Sequence, residues 1–372
     1  MEKLEIDTER LKSELHRVRK YYEGNPLSKD ILNDYFTYKN LAGILNDMTH
    51  EDILTNASYD SLKFLRMKID DIRRSSLTFN EWLNEYVDFI NLYLSAYFRV
   101  IEEIKFVNVK ENLKEKEYSL RELKEIILDY YSKVGDFEYS VAKKYFQEGR
   151  IQMEHKEMKL FNGFFASIIH DKFGYIFLNG DKINSLLLST LTHEIGHAID
   201  HEKHYFQDIK YKDSYNDLMS EVPSTYYEVG IMKFLRENGI DEFGGSLLLQ
   251  EFYMYIILYC KHINMLAVEK EKYGRLNIND TGKIILHDGS IINVVKDIKY
   301  MISDYLTLFL QSKDRDSKET VKMLHEVLSK RYECNLYDIL RLFQIEIDDF
   351  VCAKGIKNDI IDNNNILKKK CE

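Results

Sequence analysis

The segment Ser189–His201, STLTHEIGHAIDH, carries two histidines four residues apart, His193 and His197, with Glu194 directly after the first. On a helix, residues at this spacing stand above one another on one face, so the two imidazoles can converge on a single ion. Glu194 is rotated from His193 by about 100°, which sets its carboxylate beside the ion and not in its coordination shell. That is the placement of a general base. Zinc held by two imidazoles still needs a third protein ligand and, to catalyse, an open position for water. The chemistry open to such a set is metal-assisted hydrolysis.

The bland alternative is a pair of histidines four apart by coincidence. The chain contains its own comparisons: His50-Glu51, His201-Glu202 and His325-Glu326 have no histidine three positions after the glutamate, and they receive no metal role. Gly196 inside the helix costs about 1 kcal/mol relative to alanine, so something requires a close approach there. Downstream, SEVPSTYYE puts Glu221 and Glu228 on a second helix, with Ser220 as its N-cap, Pro223 in its first turn and Gly239 as its stop. A carboxylate folded back from that helix completes a His, His, Glu site. Asp200, His201 and Glu228 are candidates to hold the ligating rings, since metal-bound imidazoles usually donate their other N–H to an oxygen.

The elements needed to position these groups are mostly helical. Only Pro26 and Pro223 interrupt 372 residues, and apolar residues recur at three- and four-residue spacing over long stretches such as FNEWLNEYVDFINLYLSAYFRVIEEI. A different texture runs from Phe161 to Asp181, where glycines and asparagines punctuate aromatic and β-branched residues. It predicts a hairpin or small sheet ending in the strand GYIFLNG. The expected organisation is an N-terminal helical region over 1–118, a core with both site helices over 119–240, and a C-terminal helical region over 241–372. The last includes a hairpin excursion in RLNINDTGKIILHDGSIIN and a frayed tail, NNNILKKKCE.

Composition narrows the function classes. The formal net charge of −10 argues against a dominant affinity for nucleic acid or an anionic membrane. No span is long and apolar enough to cross a bilayer and the N-terminus lacks a secretion signal, so a cytoplasmic location is expected. Cys260, Cys334, Cys352 and Cys371 form no CxxC pair and read as reduced thiols.

TLTHEIGHAIDH followed by SEVPSTYYE resembles the thimet oligopeptidase and oligoendopeptidase F family of zinc peptidases. The resemblance is specific from about Phe161 to Glu228 and general elsewhere. It implies a mainly α, zincin-like metallopeptidase with a small β-sheet or hairpin beside the active-site helix. By that match His193, His197 and Glu221 are the ligands of one zinc ion, Glu194 is the base and peptides are the substrate. Asp200 stands where many members have a third histidine, and the chain is much shorter than typical members. The family's late tyrosine-rich segment is similar in place to KYMISDYLTLF, which makes Tyr305 and, less so, Tyr300 candidates for the oxyanion donor.

The peptide is expected to lie extended beside GYIFLNG, pairing backbone to backbone. Two other readings stand beside a general oligopeptidase: a processing enzyme dedicated to one partner peptide, and a catalytically silent helical protein that binds peptides.

Overall fold

The computed structural model of the protein describes residues 4–11, 13, 106–108, 116–153, 162–168, 173–204, 219–273, 283–286, 289, 291–312, 317–330, 336–352 and 354–371. Most of the region expected to be helical over 1–118 lies outside these residues, as does the polar loop QDIKYKDSYND. Helix α1, Leu120–Val134, begins at a reciprocal cap in which the Ser119 amide donates to the Glu122 carboxylate at 2.8 Å and the Glu122 amide to Ser119 Oγ at 3.2 Å. Its buried face, Leu123, Ile127, Tyr130, Tyr131 and Val134, follows the helical period. Helix α2, Asp136–Gln147, comes next.

Three short strands form one sheet: β1 is Ile151–Met153, β2 is Gly163–Ile168 and β3 is Phe173–Leu178. β2 and β3 pair antiparallel from Gly163 opposite Leu178 to Ile168 opposite Phe173, the small sheet expected from the aromatic and glycine texture. β1 adds to the other side of β3 in parallel, giving the order β1-β3-β2. The strand GYIFLNG is thus enclosed between two neighbours. Its backbone groups already pair on both sides, so the expectation that a peptide adds to it is corrected.

Helix α3, Ser185–His204, carries the two histidines, and α4, Val222–Glu237, carries the late glutamates. Asn184 Oδ1 accepts the Leu187 amide at 3.0 Å and starts α3. Gly239, at φ +64°, follows the end of α4 in the left-handed region that a helix stop favours. Its start differs from the expected one. Glu221, not Ser220, stands at the N-cap, and its side chain makes no cap bond.

Helix α5, Glu242–Tyr273, and α6, Val294–Ser312, are joined through the antiparallel pair β4, Lys283–Ile285, and β5, Ile291–Asn293. Both helices pack against α4. Helices α7, Ser317–Lys330, α8, Leu336–Leu342, and α9, Ile347–Cys352, precede α10, Lys354–Cys371.

The tail is not frayed. Leu367 and Asn363 are fully buried, and Asn363 Nδ2 donates to the Ser246 carbonyl at 2.9 Å, docking α10 on α5. One continuous buried cluster runs from Tyr118 to Ile360 through α1, α3, α4, α5 and α6. No described helix is long and apolar enough to cross a membrane.

Candidate metal centre

The site forms where α3 and α4 cross. Leu187, Leu188, Leu191, Ile195, Ala198 and Ile199 bury the apolar face of α3, which leaves His193 and His197 on a flank where their side chains keep 15% and 23% of their exposure. Tyr131 of α1 holds the same helix from below, donating its buried hydroxyl to the Thr192 carbonyl at 3.0 Å. Tyr131 and Tyr227 are tilted against each other with ring centroids 5.5 Å apart, so α1, α3 and α4 form one packed unit.

Glu221 Oε2 lies 3.5 Å from His193 Nε2 and 3.2 Å from His197 Nε2. It is buried and, among the described residues, faces the two imidazoles without a well-aligned hydrogen bond. Two imidazole nitrogens and a carboxylate oxygen thus face one point, all within 4.8 Å of one another. Tetrahedral zinc with bonds near 2.1 Å needs ligand atoms about 3.4 Å apart, and the two measured separations bracket that value. A buried oxygen without a well-aligned donor would be costly in water-free surroundings, and a cation at the shared point would satisfy it. The donor set therefore fits a zinc ion.

The remaining groups are arranged around this point. Glu228 Oε2 lies 2.7 Å from His193 Nδ1, and Ser189 Oγ donates to Glu228 Oε1 at 3.1 Å. With Nδ1 engaged by Glu228, Nε2 is the nitrogen of His193 that faces Glu221. Glu194 is buried beside them, and β2 closes over it: a Cβ on Gly163 would sit 3.2 Å from Glu194 Oε1.

Two residues that the sequence reading passed over complete the surroundings. Lys299 of α6 pairs with Glu221 Oε1 at 3.1 Å. Asp304, one and a half turns along the same helix, is buried and acts electrostatically on His193. Their signal in the sequence is a charged pair inside the largely apolar stretch KYMISDYLTLF.

The electrostatics follow from burial among carboxylates. Burial alone would push the His193 pKa down, but Glu228 and Glu221 outweigh it and hold the imidazole well above its ordinary value. Burial would raise Glu221, yet His197, His193 and Lys299 bring it well below the usual carboxylate range. For Glu194 burial prevails over the two histidines, and its pKa is raised. Asp304 is pushed well above the carboxylate range by burial, with Glu228 adding to it. A raised pKa makes Glu194 a stronger proton acceptor than an ordinary carboxylate.

Two other expected site residues lie elsewhere. Of the two acids expected to support the rings, Glu228 reaches His193, while the Asp200 carboxylate pairs with His204 Nδ1 at 2.7 Å, one turn further along α3. Tyr305 is buried in the core, where its hydroxyl donates to the Phe350 carbonyl at 2.8 Å and its ring stands edge-on to Phe350. That hydroxyl is engaged in packing and is not directed at the centre. Tyr300 is half-buried, next to Lys299 and one turn before Asp304. His201 is half-buried with its ring 5.8 Å from that of Phe165, and desolvation lowers its pKa to about 4. A cavity of about 540 Å³ lined by Glu138, Lys203, His204, Lys322 and His325 lies against the far end of α3, and no member of the triad lines it.

No protein-family model and no curated protein matches the sequence. Solved structures do. A 3.1 Å crystal structure with a provisional oligoendopeptidase F assignment superposes with a TM-score of 0.51 at 12% identity, over 74% of this chain and 56% of its own. A second provisional oligoendopeptidase F, from Bacillus anthracis str. Ames, gives 0.51 at 13% identity over 88% of this chain and 66% of its own. PZ peptidase A bound to an inhibitor gives 0.50 at 14% identity over 74% and 57%. At these identities the likeness is one of fold. The chain has the mainly helical fold of oligoendopeptidase F-type peptidases, and it spans between 56% and 66% of the length of these structures.

Proposed function

We propose that this protein is a zinc-dependent endopeptidase that hydrolyses peptide bonds in oligopeptides. The observation that carries the reading is the buried Glu221 Oε2 facing His193 Nε2 and His197 Nε2, with Glu194 on the same helix. His193, His197 and Glu221 would hold the ion. When bound, zinc supplies Lewis acidity that polarises the scissile carbonyl and makes water a better nucleophile. Glu194 orients the attacking water and takes its proton as the oxygen–carbon bond forms. It then delivers that proton to the leaving amine as the carbon–nitrogen bond breaks. Glu228 keeps His193 in the tautomer that offers Nε2 to the ion.

The substrate is proposed to run along β2. This strand lies at the outside of the sheet among the described residues, and its first residue, Gly163, sits against Glu194. Backbone pairing at such an edge recognises an extended chain with little demand on its side chains.

Metal analysis and mass spectrometry of peptide digests test the reading together. Wild type and Glu194→Gln should both retain one zinc per chain, and only wild type should cleave. Wild type purified without chelators that contains no zinc, and takes none up, would end the proposal. So would full cleavage by Glu194→Gln.

A further inference from the structure

We propose that Lys299 is a positioning residue of this centre: by holding Glu221 Oε1, it turns Oε2 alone toward His193 and His197. The inference rests on the metallopeptidase reading above. Lys299 comes from α6, an element that contributes no ligand, and its ammonium reaches Oε1 at 3.1 Å while Oε2 faces the imidazoles at 3.5 and 3.2 Å. The two oxygens of one carboxylate are thereby divided between two tasks.

The division matters because a carboxylate offering both oxygens can chelate an ion and fill the position that water needs. Among the described residues, Lys299 is the group that pairs with that oxygen. The residue stands at the N-cap of α4 but makes no side-chain cap bond. The side chains of Glu221 and Lys299 keep 12% and 27% of their exposure, so the pair is screened less than a surface salt bridge.

Charge points the same way. Glu194, Glu221 and Glu228 supply three carboxylates around the centre, whereas a divalent ion supplies two positive charges. Lys299 provides the balancing cation. Burial pushes the fourth acid, Asp304, toward its neutral form.

The test uses the full chain loaded with cobalt, whose visible absorption reports its coordination, together with steady-state cleavage of an oligopeptide by the zinc form. Lys299→Met removes the charge at similar length, and Lys299→Arg keeps it. Lys299→Gln replaces the methionine variant should that one fail to fold. The expected result is a kcat lowered about 10- to 100-fold in Lys299→Met with KM little changed, the loss typical of a group that orients a ligand. The cobalt spectrum should change with it, and Lys299→Arg should restore both.

Wild-type kcat or a wild-type spectrum in Lys299→Met would overturn the role. A fall in kcat with an unaltered spectrum would make Lys299 a substrate contact instead. Wild type that binds neither metal would sink the metallopeptidase reading itself. Wild type that binds and cleaves beside an indifferent Lys299→Met would sink this inference alone.

Discussion

Gly196 on α3 and Ser224 on α4 meet where the two helices cross, and a methyl group on Gly196 would come within 2.6 Å of Ser224 Cα. The Pro223 carbonyl oxygen and the Tyr227 ring stand close behind, at 3.2 and 3.1 Å. Backbone cannot swing aside as a flexible side chain can. The glycine that lowers helix propensity in α3 is therefore what lets α4 bring Glu221 against the histidines.

Gly196→Ala should consequently destabilise the protein, although alanine is the better helix former. The gain of about 1 kcal/mol in propensity is set against an overpacking cost of about 1–3 kcal/mol, and the displaced α4 moves Glu221 with it. Thermal melts with and without added zinc should show a lower Tm and a smaller stabilisation by the metal. An unchanged Tm together with unchanged zinc affinity would contradict the account.

Glu228 should matter for the metal more than for the fold. Glu228→Ala removes the acceptor on His193 Nδ1, and zinc retention against a competing chelator should weaken about 10- to 100-fold. Glu228→Gln keeps an oxygen that can accept from the ring, so it should fall between the two. Equal zinc affinity in all three proteins would remove Glu228 from the centre.

Tyr305→Phe separates packing from catalysis. Loss of the hydroxyl leaves the Phe350 carbonyl without that donor, at a cost of about 0.5–1.5 kcal/mol in denaturant unfolding. The cleavage rate should stay near wild type. Removal of an oxyanion donor would instead lower kcat by roughly 100-fold or more, an outcome that would return Tyr305 to the site.

His201 should leave a mark on the pH dependence of stability. Its folded pKa lies at about 4, below the ordinary histidine value of 6.5, so the imidazole is neutral in both states well above that value. As the pH falls from 6.5 toward 4, the unfolded chain binds a proton that the folded protein refuses, and this contribution to stability is lost. Urea unfolding of the metal-free protein at pH 7 and pH 5 should show the decline. His201→Gln should flatten it, and an equal slope in both proteins would refute the assignment.

Much of this was legible in the sequence because it depends on short-range geometry. A four-residue spacing on a helix sets His193 above His197 whatever surrounds them, and Glu194 follows at its fixed angle. The glycine and aromatic texture of residues 161–181 marked the β2–β3 pair for the same local reason. β1 has no such signature, because three residues carry too little alternation. The tail looked polar and frayed since its helical signal rests on Asn363 and Leu367, whose burial is created by α5.

What the amino-acid order determined alone was the local equipment: a histidine ridge, a glutamate beside it and a second helix bearing carboxylates. Only the tertiary structure decided which acids those histidines meet. Asp200 is three residues from His197 yet pairs with His204, whereas Glu228 and Lys299 come from other helices to hold His193 and Glu221. Helix geometry reaches one or two turns along the chain, and contacts beyond that are set by how α3, α4 and α6 pack around a glycine-thin crossing.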